Sequence, residues 1–354
     1  MIKTKTLPAS RPVGQWILLG VFMLIVQVIL GGITRLTGSG LSITEWNVFT
    51  GILPPLNGKQ WLAAFEKYRE TPQFHLLNAD FSLSDFKFIF FWEWFHRLWA
   101  RLIAVVFVLG FATLLCKGEI KRGMIKPMLG LFVLGAAQGA IGWIMVASGL
   151  TGDAIYVEPT RLALHFVFAL VLICFSFWFA LQLLVPSRQL IADRVGRRLC
   201  WAILVTLFIQ LLFGAMMAGL KTANTAPTWP TINGDWIPSS LFQKSPVLLN
   251  LIDNPLTIQF IHRSLGYLIF ALTGLWSIRI YTISAIPVHL YKYRWVPLFL
   301  IFIQILLGVA ALLTSRSIVP NHWVAFDWIA QLHQVNALLF MLSMMYMLYL
   351  VRRT

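Results

Sequence analysis

The sequence predicts an all-α integral membrane protein in which eight transmembrane helices form two pseudo-symmetric four-helix bundles. Three observations carry this: apolar runs of membrane-spanning length, an internal repeat, and basic residues gathered in alternate connections. Of 354 residues, 58% are hydrophobic and 12% charged, with a mean hydropathy of +0.77. Soluble domains carry about 25% charged residues, so an ordinary soluble enzyme and a disordered chain are both excluded. Cys116, Cys174 and Cys200 fall in or beside apolar runs without metal-like spacing, and imply no disulfide framework.

Crossing a ~30 Å hydrocarbon core takes about 20 residues. Runs near that length fall at 16–33, 88–115, 128–149, 162–185, 199–220, 257–280, 295–314 and 328–351. The first follows a basic stretch, as a signal peptide would, but no A-x-A-like site follows it. It also has a counterpart later in the chain, so it is expected to be retained.

The net charge of +15 would point to nucleic acid in a soluble chain. Here it divides by side. Lys3, Lys5 and Arg11, Lys117 to Lys126, Arg188 to Arg198, Arg279 to Arg294, and Arg352 with Arg353 bring 16 positive charges to one side, against Glu119 and Asp193. The opposite connections hold nine basic and eleven acidic residues. The positive-inside rule then places both termini in the cytoplasm and the long loops 34–87 and 221–256 outside. Nucleic acid is not needed to explain the charge.

The two halves match in order and spacing. Gln27-Val-Ile-Leu-Gly-Gly corresponds to Gln210-Leu-Leu-Phe-Gly-Ala, and Glu93-Trp-Phe-His96-Arg97 to Gln259-Phe-Ile-His262-Arg263. Gln138 follows His96 by 42 residues, as Gln304 follows His262, and Leu164-His165 corresponds to Leu332-His333. Four spans per repeat is an even number, so the halves are parallel, related by an axis along the membrane normal. The expected division is 1–187 and 188–354. The first outer loop is the longer by about 17 residues.

His75, His289 and His322 fall in loops and read as solvated side chains. His96, His165, His262 and His333 sit one per even-numbered span, within about eight residues of its outer end, roughly 5–12 Å deep at 1.5 Å per residue. One such histidine reads as a hydrogen-bonded packing residue. Four at repeat-related positions, where ionisable groups are costly, read as metal or haem ligands. No carboxylate or cysteine set accompanies them for zinc or di-iron, whereas two per bundle match the axial positions of a haem. The 27 Phe, 15 Trp and 8 Tyr supply either flat apolar slots or interface belts. Arg97, Arg101 and Arg263 are candidates to pair with haem propionates. Snorkelling accounts for Arg97 and Arg263 equally, and less well for the deeper Arg101.

Glu93 lies three residues before His96 on the same helix face, and four before Arg97 in the favourable order for an ion pair. The second half has Gln259 there. The residues therefore leave two readings open: a structural ion pair, or chemistry in the half that carries the carboxylate and cofactor binding in the half that carries the amide.

Along nearly its whole length the chain resembles the haem A synthases, membrane enzymes that convert haem O to haem A for terminal oxidases. The resemblance rests on Gly31-Gly-Ile-Thr-Arg-Leu-Thr-Gly-Ser-Gly-Leu-Ser42, Pro54-Pro55, Phe86-Lys87, Glu93-Trp-Phe-His-Arg97 and Gln138-Gly-Ala-Ile-Gly-Trp-Ile-Met-Val-Ala-Ser-Gly-Leu150. It continues through Arg161-Leu-Ala-Leu-His165, Trp229-Pro230, Gln259-Phe-Ile-His-Arg263 and Leu332-His-Gln334. It implies oxidation of a porphyrin methyl group through an alcohol to a formyl group, with water as the oxygen source. By the same resemblance, His96 and His165 ligate the substrate haem O, His262 and His333 ligate a resident haem b, and Glu93 is the catalytic carboxylate. It further implies a bacterial inner-membrane location, contact with haem O synthase and a homo-oligomer. Unlike some members, the chain carries no cysteine pair in its outer loops, and it has Ala100 where glycine is usual and Lys221-Thr222-Ala223 where an acidic residue is expected.

Two other classes compete. A di-haem b-type cytochrome in electron transfer usually holds one haem near each leaflet, whereas these four histidines share one. A repeat-built transporter predicts helices broken at the midplane, and the spans here run through it.

Overall fold

The computed structural model describes residues 10–45, 50–319 and 322–352. Among them are eight helices long and apolar enough to cross a membrane, and no strand. They are α1 (Arg11–Leu36), α2 (Leu83–Cys116), α3 (Arg122–Ser148) and α4 (Pro159–Leu184). The second set is α5 (Arg194–Gly219), α6 (Pro255–Tyr281), α7 (Val296–Thr314) and α8 (Ala325–Leu350). Every expected span lies on one of them.

Caps set the starts. Ser10 Oγ accepts from Val13 N (3.4 Å), and Asp193 Oδ2 from Gly196 N (3.1 Å). Asn254 Oδ1 accepts from the amides of Leu256 and Thr257. Pro159 opens α4, where its missing N–H is no loss. Helix α2 begins at Leu83, a turn before the expected 88. A capping box explains it: Ser82 N donates to Asp85 Oδ2 (2.9 Å) while Asp85 N donates to Ser82 Oγ (3.4 Å). The added turn brings Phe86 to join Ile89 and Phe90 in an apolar cluster with Phe65, Tyr68 and Phe74. Those last three come from two short helices, Gly58–Arg69 and Pro72–Leu77, which cap the outer end of the first half. The longer loop is thus a small folded cap.

Within the first half, α1 packs on α2 and α4, and α3 on α4. The second half repeats this, with α5 on α6 and α8, and α7 on α8. One contact breaks the symmetry. Helices α6 and α7 pack along each other more extensively than α2 and α3 do.

The halves meet along α1, α4, α5 and α8. Leu170, Ile173, Ile203, Leu207, Met341 and Met344 are buried there. In lipid such a seam is held by close packing and polar cross-links rather than by water exclusion. Gln331 Nε2 donates to Ile29 O (3.2 Å) and Gln334 Nε2 to Val28 O (3.0 Å), both from α8 to α1. Gly32 leaves the room for these two glutamines.

On one face Ser10 Oγ donates to Glu119 Oε2 (3.0 Å), Ile191 N to Leu350 O (2.8 Å), and Arg279 pairs with Asp193 (3.0 Å). The described ends therefore share a face with the α2–α3 and α4–α5 connections. Lys3, Lys5 and Arg353 of the charge count lie outside the described residues.

Candidate functional site

His96 of α2, His165 of α4, His262 of α6 and His333 of α8 line one cavity of about 960 Å³. That is the upper end of the range of about 300–1,000 Å³ for small-molecule sites. Each histidine faces a glycine on the preceding helix. A Cβ built on Gly31 would fall 3.4 Å from the His96 ring, on Gly142 2.8 Å from His165, on Gly214 3.1 Å from His262, and on Gly308 3.0 Å from His333. Four residues before each glycine, on the same helix face, stands a glutamine. Gln27 Nε2 donates to His96 O (3.2 Å) and Gln138 Nε2 to His165 O (3.1 Å). Gln304 Nε2 lies 3.1 Å from His333 Nδ1, and His262 Nδ1 lies 3.2 Å from Gln210 O. A carbonyl partner on Nδ1 leaves Nε2 of His262 to act as a ligand.

One module, Gln-x-x-x-Gly on an odd-numbered helix facing His on the next, thus occurs four times. Comparison of the halves aligns Gly31 with Gly214, but the fourfold module emerges only when each helix pair is compared with the others. The signal was present as Gln27/Gly31, Gln138/Gly142, Gln210/Gly214 and Gln304/Gly308.

The ring centroids of His262 and His333 are 6.4 Å apart. Two imidazoles, each about 2 Å from a metal between them, place their centroids about 6 Å apart. A flat cofactor with axial imidazoles therefore fits the second half in spacing, in donor chemistry and in the glycine-smoothed walls.

Glu93 is 2% exposed and lines the cavity. Its Oε1 pairs with Arg97 at 2.5 Å, while Oε2 accepts from Ser42 Oγ (2.7 Å) and Ile43 N (2.9 Å). These three donors fix the carboxylate's position and leave lone-pair capacity on it. At the equivalent position Gln259 is fully buried, and its Nε2 donates to Ala223 O (3.4 Å). Both residues bind the loop that follows the first helix of their own half. Only one brings charge.

Arg97 donates to Ile43 O and Glu45 O (3.2 Å each), and Arg263 to Ala226 O (2.7 Å) and Thr231 O (3.3 Å). Each tethers an outer loop over its own half. Arg101, one turn deeper than Arg97, lines the same cavity. Over the first half, Tyr68 OH donates to Gln73 Oε1 (3.1 Å), and Gln73 Nε2 reaches Gly38 O and Ile155 O. Burial pushes the Tyr68 phenol up to about 12, which keeps it a donor. His75 and His322 are exposed. His289 is not simply solvated: it is half-buried, with Nδ1 2.6 Å from Tyr346 OH, because the short helix Val288–Tyr293 folds back on α8.

The sequence profile of the COX15-CtaA family, described as cytochrome oxidase assembly protein, matches residues 14–345. The heme A synthase of Brucella anthropi is 41% identical over 313 residues, 88% of this chain and 86% of that relative. That of Rhodospirillum centenum is 45% identical over 260 residues, 73% of this chain and 69% of the relative. That of Brucella suis is 40% identical over 305 residues, 86% and 84%. With its profile match running through all eight helices and all four histidines, this chain belongs to the COX15-CtaA family of cytochrome oxidase assembly proteins.

Proposed function

We propose that this protein converts haem O to haem A, the activity named for its relatives, and that its halves divide the work. Residues 1–187 bind haem O through His96 and His165. Residues 188–354 hold haem b through His262 and His333. The observation that carries this reading is Glu93, a fixed carboxylate three residues from His96, replaced by an amide at Gln259 beside His262. The looser packing of α2 against α3 supports it further, because a substrate that enters and leaves needs a way through the helices. A resident cofactor does not.

Each of two steps takes two electrons from the methyl carbon and releases two protons, the electrons leaving one at a time to an acceptor outside this chain. Water supplies the oxygen as the carbon passes through the alcohol to the formyl group. Positive charge develops on that carbon as electrons leave. Glu93 stabilises the charge electrostatically and accepts a proton released by the attacking water. Ser42, Ile43 N–H and Arg97 hold its carboxylate in place. The packed cap over the first half limits access of bulk water. Arg97, Arg101 and Arg263 bring positive charge toward haem carboxylates. Haem b, when bound, supplies a one-electron carrier.

On this reading the protein spans the bacterial inner membrane with both termini cytoplasmic, receives substrate through contact with haem O synthase and works as a homo-oligomer. A cysteine introduced at Ser239 should react with an impermeant thiol reagent in intact cells, and one at Ser187 should not. Function itself is tested by supplying haem O and analysing extracted haems by mass spectrometry. Haem A and the alcohol are expected. Bound haem with no conversion of haem O would favour a di-haem electron-transfer cytochrome.

A further inference from the structure

Two cations meet at the seam between the halves. Arg35, at the last turn of α1, donates Nε–H to Ala218 O of α5 (3.2 Å). Arg35 and Ala218 are themselves repeat counterparts, each eight residues after the matched glutamines Gln27 and Gln210. A residue that touches its own counterpart lies on the pseudo-two-fold axis. The place is therefore shared by both halves. Lys221 belongs to the second half, yet its Nζ sits 3.5 Å from the ring centroid of Tyr156, which belongs to the first. Arg35, Lys221 and Tyr156 all line the four-histidine cavity.

The backbone at Lys221 is a second, independent sign. Its φ is +54, in the left-handed region that side chains with a Cβ rarely adopt. The counterpart in the first half is Gly38, at φ +67. The second half thus carries a strained lysine where the first uses the residue suited to the turn. Strain retained beside a cavity points to use of the side chain. The same carbonyl brings the two residues together, since Ala218 O accepts from both Arg35 Nε–H (3.2 Å) and Lys221 N–H (3.4 Å). Among the described residues neither has a carboxylate within 4.0 Å, although Asp327 at the head of α8 attracts Arg35 from farther away.

We propose that Arg35 and Lys221 form a carboxylate clamp on the axis between the halves, which holds a propionate group of a haem bound in the cavity. The clamp rests on the reading that haem occupies the cavity. Two positive charges on an axis shared by two ligand sites, facing an apolar space, suit an anionic group carried on an otherwise apolar ligand. A guanidinium binds a carboxylate through paired N–H donors and an ammonium through its point charge. Arg35 is anchored through Nε and keeps its outer nitrogens for this task. Lys221 is steadied by the Tyr156 ring.

The test is the rate at which purified full-length holoprotein loses haem to apomyoglobin, followed by absorbance. Lys221→Gly copies Gly38 and relieves the strain, so its melting temperature should hold or rise while haem loss quickens. Combined with Arg35→Gln, loss should be about tenfold faster or more, and Lys221→Arg should stay near wild type. Protein reconstituted with protohaem dimethyl ester, which lacks the free carboxylates, should lose it at the same rate with or without the substitutions. Unchanged rates with the acid, or equal acceleration with the ester, would overturn the clamp. A wild-type protein without a bis-imidazole haem spectrum would overturn the haem reading together with it.

Discussion

The two halves share a scaffold and differ at its outer mouth. Both present histidines to a common cavity from their second and fourth helices, each against a glycine, and both tie their outer loops down with the arginine after the first histidine. They differ in four places. The first half has Glu93 for Gln259, a folded helical cap over its mouth, and looser packing between α2 and α3 than between α6 and α7. The second half has a lysine for a glycine at the seam. The differences gather where a substrate must be admitted, oriented and changed. The closed half keeps the features suited to holding a ligand in place.

The comparison breaks most readily at Glu93. Glu93→Gln makes the first half copy the second, keeping shape and some hydrogen bonding while removing charge. Loss of one fixed electrostatic contact should slow haem A formation about 10²–10³-fold, measured as product per bound substrate, with haem b content unchanged. The mirror change, Gln259→Glu, should not create a second synthase site. A rate near wild type for Glu93→Gln would leave Glu93 as half of an ion pair with Arg97.

The arginines come next. Arg97→Gln removes the partner of a buried carboxylate as well as two loop tethers, and should cost about 3 kcal/mol of stability, the low end for breaking a buried pair. Arg263→Gln removes only tethers and should cost about 1–2 kcal/mol. Thermal or denaturant unfolding in detergent compares them. Equal losses would mean that the Glu93 carboxylate is not held as a charge.

The glycines should give smaller and graded effects. Overpacking costs about 1–3 kcal/mol, and the clearances rank Gly142→Ala as the most severe, then Gly308→Ala, Gly214→Ala and Gly31→Ala. Gly308→Ala should weaken haem b retention about tenfold through His333. Gly142→Ala should instead raise the KM for haem O through His165. Loss of haem b from Gly142→Ala would argue against separate sites.

Much of this was legible in the sequence. Eight apolar runs fall on eight helices, because nothing else satisfies the backbone in lipid. The four histidines and the Glu93/Gln259 difference follow from aligning the halves. The glycine behind each histidine was written in the chain too, but it needs comparison of helix pairs rather than of halves. Other features had no local signature. Arg97 and Arg263 read as propionate partners or snorkelling side chains, with Glu93 as a further partner for Arg97, and only the fold brings the carbonyls of Ile43, Glu45, Ala226 and Thr231 onto them. Arg35 and Lys221 lie far apart in sequence, and only the seam makes them neighbours. The looser packing of α2 on α3 is a matter of helix placement, which hydropathy does not encode.

The central claim, two haem sites with separate duties, is tested most directly by haem b content across four variants: His96→Met, His165→Met, His262→Met and His333→Met. Each protein is purified at matched yield, and its haem b is measured by pyridine haemochrome absorbance. The division of labour predicts that His262→Met and His333→Met lose most of their haem b, while His96→Met and His165→Met keep it and make no haem A. Equal loss of haem b from all four would contradict it.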